Sequence, residues 1–169
     1  MGAGLAYQPL ADAALAARWR QLLADPGAPD FCEIDELGDV IQMNPPTKPH
    51  QRIVRSIQQQ IEARLGGEAL PGVGVLTRIG VRVPDVIWEE HPVKADPTTP
   101  APTICVEVQS ESNTRREMNE KLAAYLAAGA REVILVELSG RIRYFDANGE
   151  REASSFGLAL GLPPDARPR

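Results

Sequence analysis

The chain has 169 residues, 43% of them hydrophobic and 24% charged, enough for one buried core and too few for two comfortable domains. Lysine and arginine number 18 against 23 aspartates and glutamates, a net charge of −5, which excludes a surface coated in basic charge but not a local basic groove. No apolar run approaches the roughly 20 residues of a membrane-spanning helix, and the opening MGAGLAYQPLADAALAARWRQLL lacks the basic stretch and unbroken apolar core of a secretory signal, so a cytoplasmic protein that avoids membranes is expected.

Residues 12–24 carry Leu15, Trp19, Leu22 and Leu23 at helical spacing, and the DPGAPD cluster ends the pattern. Residues 31–43, FCEIDELGDVIQM, read as two short strands with Gly38 in the turn, an N-terminal hairpin. NPPTKPH, with three prolines in seven residues, reads as a loop. Ile53, Ile57, Ile61 and Leu65 then recur at helical spacing, which predicts a helix over 51–65 ended by Gly66 and Gly67. A β region spans residues 70–88, broken near 78–80. Residues 91–102 hold four prolines and read as a loop over one edge of the sheet.

TICVEVQ, residues 103–109, alternates: Ile104, Val106 and Val108 face one way, Cys105, Glu107 and Gln109 the other. A helix is predicted over 114–128, with Thr114 as N-cap and Glu117 at the capping-box spacing. Met118, Leu122 and Tyr125 form its apolar stripe, and Gly129 is placed to end it. Residues 133–138 and 141–145 read as strands, ANGE as the turn into a last short strand, and residues 157–169 as a loose tail beyond a core of about 31–156. There is no internal repeat. The order of elements predicts a single α/β domain with mixed strand directions. Cys32 and Cys105 lack any zinc-binding spacing and read as free thiols.

The residues that point to chemistry are carboxylates inside apolar strands. Asp85 stands in VRVPDVIW and Glu107 in TICVEVQS. An ionised carboxylate in a buried strand is costly without a cation or donor, and two close together are worse, because like charges raise one pKa. A divalent cation reverses that cost, and carboxylate oxygens suit Mg²⁺, with Mn²⁺ an admissible substitute. Either carboxylate alone is accommodated equally well by a hydrogen bond or an arginine at a strand end. Lys48, Lys94 and Lys121 are the lysines of the chain. Lys121 lies three residues after Met118 and four before Tyr125, at the margin of the buried stripe. From there it either reaches over the sheet toward Glu107 or pairs with Glu117 or Glu120 as a rim lysine.

Asp85 in PDV, Glu107 in VEVQS, the helix NEKLAAYLAAGA followed by REVILVEL, and the front segment FCEIDELGDVIQMNPPTKPHQRIV together resemble the Uma-two family. Its members are bacterial proteins described as restriction-endonuclease-like, within the PD-(D/E)XK nuclease superfamily. The resemblance runs from residue 31 to residue 145. It implies a restriction-endonuclease-like α/β fold, a central mixed β-sheet flanked by α-helices with an N-terminal β-hairpin. It also implies Mg²⁺-dependent hydrolysis of phosphodiester bonds in nucleic acid, DNA before RNA.

On the superfamily pattern of an Asp followed by Glu-X-Lys, Asp85 matches the Asp and Glu107 the Glu, while Gln109 stands where the lysine is expected. The resemblance assigns the amine to Lys121 on the following helix and leaves Gln109 to orient a water through its amide. Asp85, Glu107 and the Val108 carbonyl would hold the ion, and Lys121 would stabilise charge on the attacking oxygen or the phosphate. Glu33 in the first strand and His50 at the start of the second helix are accessory candidates. Arg52, Arg55, Arg82 and Arg115 are candidate phosphate contacts, with Arg78 and Arg116 beside them, and Arg115 is expected near the buried-stripe side of its helix. Cutting both strands takes two centres, so a homodimer is expected. The alternative is a catalytically inactive module of the same fold that binds nucleic acid or a protein partner, which Gln109 and the acidic balance favour.

Overall fold

A computed structural model describes residues 7–164. Helix α1 (Asp12–Ala24) buries Leu15, Trp19 and Leu22 and stops where Asp25 turns extended before the Pro-Gly pair. Strands β1 (Cys32–Ile34) and β2 (Val40–Gln42) form the expected antiparallel hairpin, with Glu33 opposite Ile41. Its turn is held by the Asp35 carboxylate, which accepts the N–H groups of Leu37 and Asp39.

Helix α2 (Lys48–Leu65) begins three residues before the predicted start. Thr47 caps it by accepting the His50 N–H, and Pro49 falls in the first turn, where a missing N–H leaves no helix bond unmade. The PPTKP segment is therefore half loop and half helix start, which puts His50 inside the first turn.

The β region resolves into β3 (Ala69–Leu70), β4 (Val75–Thr77), β5 (Gly80–Arg82) and β6 (Val86–Trp88). The break at 78–80 is the β4–β5 hairpin turn. Gly80 there takes φ +107°, and a Cβ would stand 2.0 Å from the Ile34 carbonyl oxygen. Glycine thus lets β5 close on β1, where Ile34 pairs with Val81.

The chain continues through β7 (Ile104–Val108), α3 (Arg115–Ala127), β8 (Glu132–Val136), β9 (Ile142–Asp146) and β10 (Gly149–Arg151). Two sheets result: β2-β1-β5-β4 and β10-β9-β8-β7-β6-β3. Strands β7 and β8 are parallel and joined across α3, while their other neighbours in the larger sheet run antiparallel. The central sheet is mixed, as predicted, and the hairpin belongs to its own smaller sheet. Loop 91–102 runs along β4, where Thr98 exchanges backbone bonds with Gly74 and Leu76.

Both faces of β7 are buried, which is why its apolar run is nearly continuous. Ile104, Val106 and Val108 pack with Ile53, Ile57 and Ile61 of α2. Cys105 packs on the other side with Met118, Leu122 and Tyr125 of α3. The capping box of Thr114 and Glu117 forms as predicted. The tail does not behave as expected: Leu158 is buried against the α2 side of the sheet, and Gln60 holds Gly161 through both its amide atoms. Phe156, Leu158, Leu160 and Leu162 alternate and cover apolar surface that would otherwise meet water. Residues 165–169 of that tail lie outside the described residues. Among the described residues no helix is long and apolar enough to cross a membrane.

Candidate active site

Pro84 lacks a backbone donor, and the chain leaves the smaller sheet there. Asp85 follows at the entry to β6. Val86 lies opposite Val106 in the β6–β7 ladder, so the antiparallel register carries Asp85 alongside Glu107. Asp85 Oδ2 accepts the Val108 N–H at 2.7 Å. Its Oδ1 lies 3.4 Å from His50 Nε2, and the same nitrogen is 3.3 Å from the Val108 carbonyl oxygen. One donor position therefore faces both oxygens.

Glu107 points to the α3 side and is 4% exposed. Its Oε1 accepts the Tyr125 hydroxyl at 2.7 Å and lies 3.2 Å from Lys121 Nζ. Lys121 is buried rather than at the rim, and its amine also meets Glu33 Oε1 at 2.7 Å. Glu33 in turn accepts the Val83 N–H at 2.9 Å and Arg82 Nη1 at 3.1 Å. The β1–β5 pairing of Ile34 with Val81 brings Glu33 across from Arg82, so the smaller sheet supplies Glu33, the larger sheet Asp85 and Glu107, and α3 the amine between them.

The electrostatics follow from burial. Removal from water pushes the Glu107 carboxyl up to about 7, against the pull of Lys121, with Asp85 and Glu33 adding to the rise. Burial alone would depress the Lys121 ammonium, but Glu107, Glu33 and Asp85 together outweigh it and hold its pKa above the usual value. Lys121 is thus a fixed cation at neutral pH. The His50 imidazole is raised as well: the Asp85 bond and charge and the Val108 carbonyl overcome the opposing effect of burial.

The remaining candidates are distributed as follows. Gln109 lines the same cleft, but its amide oxygen accepts the Leu138 N–H at 3.3 Å. Arg82 is no surface phosphate contact; its guanidinium is partly buried against Glu33. Arg115 is exposed on the outer face of α3, contrary to its expected place, because Met118 and Lys121 take the inward side. With Arg78 and Arg116 it borders an open depression of about 570 Å³ that shares no residue with the cleft. Arg52 and Arg55 are exposed on α2 and do not line the cleft. Cys32 and Cys105 are free thiols. The contact at the site that sequence reasoning missed is the Tyr125 hydroxyl on Glu107. Its signal was present, since Tyr125 lies one turn after Lys121 on the same face.

The donor set suits a hard divalent cation. No group of three or more His, Cys, Asp or Glu side chains converges as a metal cage among the described residues. What converges is Asp85 Oδ1 and the Val108 carbonyl, which share the His50 donor, beside a Glu107 whose Oε2 accepts no hydrogen bond among the described residues. Burial, with Asp85 and Glu33 nearby, outweighs the pull of Lys121 and raises the Glu107 carboxyl. Two carboxylates and a carbonyl, with water completing the shell, is the usual holding of Mg²⁺.

The family model Uma2, described as "Putative restriction endonuclease", matches residues 21–159. The crystal structure of "a putative nuclease belonging to DUF820" from Anabaena variabilis ATCC 29413 is similar with a TM-score of 0.61 at 17% identity. The match covers 85% of this chain and 93% of that one. No curated protein matches the chain.

Proposed function

The chain belongs to the Uma2 restriction-endonuclease family, and we propose that it hydrolyses phosphodiester bonds of nucleic acid, DNA before RNA, at a centre of Asp85, Glu107 and Lys121 with Mg²⁺ as cofactor. One observation carries the reading. Two carboxylates from neighbouring strands lie beside a buried amine from the next helix, 3.2 Å from the second of them. Asp85, Glu107 and the Val108 carbonyl would hold the ion, which when bound polarises a phosphate oxygen and lowers the pKa of its water.

Lys121 acts as a charge and not as a base, because its partners keep it protonated. An ammonium fixed in a dry site stabilises negative charge developing on a phosphate oxygen without reorganising. Glu33 positions it, holding the amine together with Glu107. Gln109 contributes little to water orientation while its amide oxygen is committed to Leu138. Supplying the amine from α3 meets the same chemical need as a lysine two residues after the Glu, since the ammonium's final position matters and not its parent backbone.

The two ion pairs of Lys121 also favour a second reading, an inactive module that binds nucleic acid or a protein partner, because an amine already engaged on both sides is less available to a phosphate. Cleavage of labelled DNA and RNA in Mg²⁺ and Mn²⁺ separates the two. The hydrolytic reading expects activity that Asp85→Asn, Glu107→Gln and Lys121→Ala each reduce at least a hundredfold. Full activity in all three variants sinks the assignment, and no cleavage of any substrate by the native chain leaves the binding module.

A further inference from the structure

The walls of the cleft bear on which form of nucleic acid reaches this centre, an inference that rests on the hydrolytic reading above. The cleft encloses about 860 Å³, room for about one or two nucleotides. Among the described residues no arginine lines it, and its basic side chains are Lys121, tied to Glu33 and Glu107, and His50, which faces Asp85. Asp25, Asp30 and Glu111 stand exposed along its lining, and none of them forms an ion pair among the described residues. A duplex carries one phosphate charge per roughly 1.7 Å of axis and is held by a run of cations. Here such a run of phosphates would meet carboxylates instead.

An unpaired strand has different needs. One phosphate must reach the centre, while the bases can meet the wall with their faces. That wall is apolar: Phe31, 43% exposed, stands with Met43, Pro45 and Pro46 on the lining. Phe31 lies just before β1, two residues from Glu33, and both line the cleft. An exposed ring thus lines the same cleft as the amine that Glu33 holds. Bases of every kind stack on such a ring, and the exposed amides of Asn44 and Gln51 line the same cleft.

We propose that the cleft takes an unpaired stretch of nucleic acid, with a base stacked on Phe31 and the adjoining phosphate at the Asp85–Glu107–Lys121 centre, and that Asp30 and Glu111 turn duplex away by repulsion. Fluorescence anisotropy with a labelled 12-nucleotide single strand and with its duplex, in Ca²⁺ and over a series of salt concentrations, tests this without relying on cleavage. The single strand binds at least tenfold more tightly, with a shallow salt slope of about 0.7, reflecting the one phosphate at the centre. Phe31→Ala weakens it roughly tenfold without changing the melting temperature, and Phe31→Tyr binds as the native chain does. Asp30→Asn with Glu111→Gln raises duplex binding severalfold. Equal or tighter duplex binding, an unaffected Phe31→Ala, or no binding of either form overturns the proposal. Efficient cleavage of duplex in Mg²⁺ would sink this inference and leave the hydrolytic centre standing. Strand binding without any cleavage would do the reverse.

Discussion

Glu107→Gln separates the cost of a buried charge from the value of its contacts. Burial lifts the Glu107 carboxyl from 4.5 to about 7. Between those values the folded chain holds a proton that the unfolded chain has released, so stability falls as pH rises through the window and levels off above it. A rise of that size corresponds to roughly 3 kcal/mol. The glutamine variant has no charge to bury and keeps an acceptor for the Tyr125 hydroxyl, so it loses the slope. The pull of Lys121 on the ionised carboxylate is already contained in the rise to about 7, and Lys121 stays protonated throughout, so it adds no further slope. From pH 5 to pH 8 the stability of the variant relative to the native chain therefore rises by about 2.5 kcal/mol. Urea unfolding in EDTA, followed by the fluorescence of the buried Trp19 and Trp88, reads this as a relative midpoint shift of a little over 1 M for a slope of about 2 kcal/mol/M. Parallel pH profiles for the two proteins would refute the account of Glu107 as an undercompensated buried acid.

Lys121→Met removes the cation between Glu33 and Glu107 and should cost about 3–5 kcal/mol at pH 8, less at pH 5, where Glu107 takes up a proton; thermal melts at the two pH values measure both. Mg²⁺ at about a hundredfold over its dissociation constant should stabilise the chain by ~2.7 kcal/mol, a melting shift of roughly 5–10 °C for a chain of this size. Asp85→Asn should abolish that shift, and an unchanged native melting temperature at millimolar Mg²⁺ counts against the metal. Leu158→Ala should cost about 2–4 kcal/mol if the C-terminal segment belongs to the core. A loss under ~0.5 kcal/mol in chemical denaturation would mean that the segment is as loose as its composition suggested.

Much of the fold was legible because it is encoded at short range. The 3.6-residue spacing of Ile53, Ile57 and Ile61, the period-2 alternation of 103–109 and the Thr114–Glu117 cap each depend on residues a few positions apart, and each appears in the structure. The start of α2 departs from the expectation because proline, a breaker inside a helix, is tolerated in its first turn. The C-terminal segment departs from it because Leu158 and Leu160, between prolines and glycines, pack on the sheet.

The candidate site was legible in part for the same reason. A charged residue within an apolar run stands out by its cost, so Asp85 and Glu107 could be singled out without coordinates, while helical periodicity put Lys121 at the edge of the buried stripe and left a rim pairing open. The chain by itself determined its helices and most of its strands, since these are consequences of backbone period and the penalty of leaving apolar surface in water. Tertiary structure alone decided which charges neutralise one another. Arg82 reads as a phosphate contact until β5 pairs with β1 and delivers it to Glu33. Glu33 reaches Lys121, 88 positions away in the chain, because Gly80 has no side chain to keep the two strands apart. Coulombic energy depends on distance in space, and no local pattern in the sequence carries that distance.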